Sequence, residues 1–211
     1  MKKEESIIKQ YLEFELLEGR EPHSVFEFCK KYNHKETTFY KYFNSLKQIR
    51  KSFLERKISE VLKTLDEDPN YDDFSANEKA LALFFTLFES FLEHRSYLIA
   101  RYGKVKNPQA LTGDWELFFE RFDSRMESIL AEAKNNEEIQ DRPLVGNYYS
   151  KSFKLVFLYV FRVWINDESD DFQTTDAAIE KSVNLAFEFF GHSPLDSLLD
   201  FGKFALKTKV V

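Results

Sequence analysis

Apolar residues recur along this chain at helical spacing, and few segments alternate with period two. Ile7, Ile8, Tyr11 and Leu12 begin a stripe that predicts a helix over residues 7–17, closed by Gly19. Ser24, with Glu27 three residues on, has the spacing of a capping box and opens a second helix through Val25, Phe28 and Cys29 to about Lys31. Asn33, inside Tyr32-Asn33-His34, suits a left-handed turn, and a third short helix follows from Lys35 to about Phe43. Ile49, Phe53, Leu54, Ile58, Val61, Leu62 and Leu65 then mark one face of a long helix. It stops in Asp66-Glu67-Asp68-Pro69-Asn70, the expected change of unit.

Beyond that turn, residues 77–92 are apolar nearly all round, as in a buried central helix. A shorter helix carries Tyr97, Leu98 and Tyr102. Trp115, Phe118, Phe119, Phe122, Met126, Ile129 and Leu130 make the next, ended by Asn135-Asn136-Glu137-Glu138. Arg142-Pro143 restarts the chain into two long helices, one with Tyr149, Phe153, Phe157, Phe161 and Trp164, the other with Ile179, Val183, Phe187 and Phe190. A last helix is expected over residues 194–207. The whole reads as all-α: a three-helix head in residues 1–50, a connecting helix over 47–66, and a larger helical domain over 67–211.

Composition sharpens this picture at three points. Twenty-three phenylalanines are more than bundle seams require. One reading is a Phe-rich core; the other is an apolar ligand cavity walled by Phe84, Phe85, Phe88, Phe118, Phe122, Phe157 and Phe161. Charge is uneven: residues 1–57 hold 13 Lys/Arg against 9 Asp/Glu, a net +4, whereas residues 58–211 hold 17 against 27, a net −10. Nine basic residues fall between Glu27 and Lys57, a place to meet phosphate or else a set of solvated faces. The single cysteine, Cys29, allows no internal disulfide and fits the core of the second helix, so a reducing cytoplasm is the expected compartment. No signal-peptide pattern or membrane-length apolar run is present, so no integral membrane association is expected. The four histidines lie on separate segments, and no phosphate loop, nucleophile elbow or zinc helix occurs. An enzyme, a metal site and a cofactor are therefore not expected.

Three short helices with a tight turn before the third, continued by a long helix, are the layout of a helix-turn-helix domain fused to an effector domain. Residues 24–43, from the capping Ser24 to the run Phe39-Tyr40-Lys41-Tyr42-Phe43, resemble the signature of the TetR family of transcriptional regulators. That resemblance implies that the third helix enters the major groove of double-stranded DNA and that Tyr40 meets backbone phosphate. Lys35, Thr37, Thr38 and Lys41 are then its neighbours on DNA, with Lys47 at the start of the next helix. Thr and Tyr hydroxyls and Lys ammonium groups all donate to phosphate oxygens, and Thr also reaches base edges. The chain departs from the family at the turn, where Tyr32 and Asn33 replace a small residue and a glycine. It departs again at Leu46, where a phosphate-meeting lysine is usual. Residues 164–175, with Trp164, Asp167, Ser169 and Thr175, resemble the TetR-like lipid-binding proteins of coenzyme Q biosynthesis. Read locally, the same stretch is a loop in which Ser169 or Thr175 caps the helix that follows. The expected function is a homodimeric repressor, joined through the helices over 149–164 and 175–190 and released by an apolar or lipid-like ligand. The alternative is a TetR-shaped lipid-binding accessory protein that does not bind DNA.

Overall fold

Each expected stripe within the described residues becomes a helix in the computed structural model, which describes residues 3–104, 113–140 and 149–191. The elements in chain order are α1 (Lys3–Glu18), α2 (Val25–Lys31), α3 (Glu36–Phe39), α4 (Leu46–Asp66), α5 (Ala76–Leu92), α6 (Arg95–Tyr102), α7 (Glu116–Asn135), α8 (Tyr149–Ile165) and α9 (Gln173–Phe190). Among the described residues there is no strand. The Arg142-Pro143 restart and the helix expected over 194–207 lie outside the described residues.

Local chemistry sets the helix ends. Gly19 takes φ +66° and its N–H donates to the Glu15 carbonyl, a left-handed cap that glycine adopts without strain. Ser24 caps α2 by accepting from the Glu27 N–H at 3.1 Å. The reciprocal half of the expected capping box is not made: the Glu27 carboxylate takes the His23 N–H and pairs with Arg20 instead. Ser45 caps α4, and Ser75 with Glu78 forms a complete capping box on α5.

The head is the trihelical group α1, α2 and α3, with Phe28, Phe39 and Phe43 fully buried among it. α1 packs on α4 and α6, and α4 runs along α5 and α7, so the connecting helix belongs to both halves. α5 is flanked by α4, α7 and α9, and α8 lies along α9.

Candidate nucleic-acid interface and effector groove

The turn between α2 and α3 has the expected left-handed residue, Asn33 at φ +53°. His34 is fixed there by its own N–H to the Cys29 carbonyl and by its ring nitrogen to the Gln10 amide at 2.6 Å. Burial, with Lys3 close by, holds its pKa below the usual imidazole value. Cys29 is buried, as core.

α3 is shorter than its sequence pattern, which reaches to about Phe43. Regular helix ends at Phe39, and turn-type bonds from Lys41 to Thr38 and from Tyr42 to Phe39 carry the chain on to Phe43. Two adjacent threonines and a cluster of aromatic rings are poor helix formers, which accounts for the early end. Phe39 and Phe43 still share one face and enter the core. Lys35, Thr37, Tyr40 and Lys41 are exposed and Thr38 half-buried, so the five residues stand together on and just beyond this short helix. Tyr40 is 50% exposed with its ring edge-on to Phe39. Lys47 is separate: its ammonium lies 3.5 Å from where a side chain on Gly113 would begin, toward the effector half.

Eight of the nine basic residues between Glu27 and Lys57 divide into two sets. Lys30, Lys35, Lys41 and Lys47 have no ion-pair partner among the described residues. Lys31, Lys51, Arg56 and Lys57 pair with Glu18, Glu116, Glu4 and Glu93. Arg50, counted with the phosphate-facing cations on charge alone, is buried. It donates to Asp114 at 2.9 Å, to Glu21 at 2.8 Å and to the Tyr11 hydroxyl at 2.7 Å. Arg101 on α6 faces Glu15, Glu21 and Asp114 at 3.5–3.8 Å. This network ties the head to α6 and the turn before α7; sequence reasoning missed it because its members are far apart in the chain. Burial raises the Glu15 pKa, and burial with the Glu15 charge beside it pushes the Tyr11 phenol above its usual value.

The rings expected to wall a cavity meet one another. Phe84 lies 5.7 Å from Phe122, Phe118 5.1 Å from Phe157, and Trp115 5.0 Å from Phe161, centroid to centroid. All six of Phe84, Phe88, Phe118, Phe122, Phe157 and Phe161 are buried, and their contacts form an aromatic core. Phe85 differs: it is 37% exposed and, with Phe88, lines an open groove of about 420 Å³ between α5 and the junction of α8 with α9.

That junction holds the Trp164-to-Thr175 motif. Asp167 accepts from the backbone and hydroxyl of both Ser169 and Thr175, at 2.5–2.9 Å. Burial alone would raise its pKa, but these four bonds hold it down at about 2. Asp167 is thus the main cap of α9; Ser169 adds one bond, from the Thr174 N–H, while Thr175 donates instead of capping. Asp171 and Phe172 both take positive φ, at +48° and +58°.

Among the described residues, no group of three His, Cys, Asp or Glu side chains could hold a metal ion, and no helix is long and apolar enough to cross a membrane. A short helical head is thus joined by a shared long helix to a larger, aromatic-cored helical part. Residues 79–205 match the family described as "Tetracyclin repressor-like, C-terminal domain", a span of more than half the chain. The chain belongs to this TetR family. Among curated proteins and solved structures, none matches it significantly.

Proposed function

We propose that the chain is a homodimeric DNA-binding regulator of the TetR type, a repressor that an apolar ligand releases in the cytoplasm. The observation that carries this reading is the exposed donor set on and beyond α3. Lys35, Thr37, Tyr40 and Lys41 face solvent without ion pairs while Phe39 and Phe43 anchor the same segment in the core. A surface so held can lie against a duplex, with lysines on phosphate and threonines near base edges. Residues 1–50 would read DNA, the connecting stretch 47–66 in α4 would transmit, and residues 67–211 would dimerise and take the ligand. Phe85 and Phe88 would touch that ligand in the groove, with Phe84, Phe118, Phe122, Phe157 and Phe161 in the aromatic core that Phe88 joins through Phe157. Ligand binding favours one of two spacings of the paired heads and lowers operator affinity by differential binding.

Selection from a random duplex library tests it: a palindrome should be enriched, with a specific-to-non-specific ratio of about 10³ or more. Tyr40→Phe should weaken operator binding by about 1 kcal/mol. Lys41→Ala should weaken all sequences alike and make the salt dependence shallower by about one phosphate. Recovery of no palindrome would replace this reading with the TetR-shaped lipid-binding accessory protein.

A further inference from the structure

The groove beside α5 combines two kinds of side chain. Phe85, Phe88, Trp164 and Phe172 give it aromatic walls, and Glu89, Asp171 and Asp176 line the same space. None of the described residues that line it is basic. The three carboxylates have no ion-pair or hydrogen-bond partner among the described residues. Asp176 sits in the first turn of α9, where a negative charge also favours the helix end. Glu89, midway along α5, and Asp171, in the turn, have no such task. Arg95 touches this wall, stacking 4.8 Å from the Trp164 ring centre and 4.9 Å from that of Phe172. Its hydrogen bonds go to the carbonyls of Trp164 and Asp167, and it forms no ion pair with the three carboxylates.

We infer that this groove binds an organic cation with an apolar body, its charge among Glu89, Asp171 and Asp176 and its body against Phe85 and Phe172, over the buried Phe88 and Trp164. The inference rests on the proposed effector role of the C-terminal half and narrows its ligand from any apolar molecule to a cationic one. A volume of about 420 Å³ suits a small organic molecule. Ring faces attract cations, and a cleft lined by one sign of charge concentrates the other. A fatty carboxylate would meet three like charges there.

Tetraphenylphosphonium and tetraphenylborate have the same shape and opposite charge, so calorimetric titration of the full chain with each isolates the charge term. The phosphonium should bind at least tenfold more tightly. Glu89→Gln, Asp171→Asn and Asp176→Asn together should lower its affinity roughly tenfold, at about two- to threefold per carboxylate, and flatten its salt dependence. Asn tolerates the left-handed conformation of residue 171, so the turn is kept. Phe85→Ala should weaken both probes. If the triple variant melts early, Glu89→Gln alone, on an exposed helix position, carries the test. Equal affinities, tighter borate binding, or a carboxamide variant with unchanged phosphonium affinity overturns the inference. No DNA enters the titration, so its outcome separates from that of the duplex selection. An enriched palindrome without cation preference sinks the ligand class alone, and cation preference without a palindrome sinks the regulator alone.

Discussion

Asp167 concentrates more hydrogen bonding on one carboxylate than any other side chain described above, and its charge is what those four donors require. Its folded-state pKa of about 2 lies below the ordinary aspartate value, so ionisation stabilises the fold. The sign follows: that stability is fully present above the unfolded-state value near 4 and is lost as pH falls toward 2. Asp167→Asn removes the charge and turns an amide toward donors that need an acceptor. It should cost on the order of 2 kcal/mol at pH 7, a fall of about 4–8 °C in Tm for a chain of this length. The difference from the parent should narrow as the melts are repeated from pH 4 downward. A pH-independent difference would mean that the carboxylate acts through shape alone.

At the scale of elements, what could be read from the sequence was what is local. Stripes at 3.6-residue spacing located the described helices, Asn33 announced a left-handed turn, Gly19 a helix end and Ser24 a cap, because each involves residues within a turn or two. Three things escaped. α5 is apolar nearly all round, so its pattern could not show that Phe85 is the ring left at the surface. The cap of α9 is Asp167, eight residues before the Thr175 it holds, beyond the reach of capping rules that look three residues ahead. The Arg50 network joins residues 39, 29 and 64 positions away, and charge counting along the chain placed Arg50 with the phosphate-facing lysines. Its role as a tie between α1, α4 and the turn before α7 gives a measurable consequence. Arg50→Met leaves Asp114 largely buried without its strongest partner and should cost about 3–5 kcal/mol in urea unfolding. Arg50→Met with Asp114→Asn should cost clearly less than the two single losses added together. Simple additivity in that cycle would show that the two groups do not act as a pair.

For the whole molecule, the faces of α8 and α9 that turn away from the core are as informative as those that turn in. Leu155 and Tyr159 are 68% and 55% exposed on one helix, Leu185 and Phe189 64% and 50% on the other. Each pair is spaced by four residues, so each helix carries a second apolar stripe beside its buried one. Because α8 lies along α9, the two stripes adjoin, and Tyr159 and Leu185 share a groove of about 720 Å³. Two such helices paired about a two-fold axis with a second copy make a four-helix interface in which every substitution counts twice. Burying one leucine contributes about 1.5–3 kcal/mol, so Leu185→Glu should remove at least that amount from both sides of the axis. The dissociation constant should then rise by roughly a hundredfold or more. Light scattering at micromolar concentration should give a dimer for the parent and a monomer for Leu155→Glu with Leu185→Glu. Helical content should be unchanged, since Phe153, Phe157, Val183 and Phe187 still face the core. A parent that scatters as a monomer, or a doubly charged variant that stays dimeric, would place the interface elsewhere. The monomer also serves the DNA reading: it should keep weak, salt-sensitive attraction to any duplex through its free lysines and lose preference for a palindrome, because one head reads one half-site.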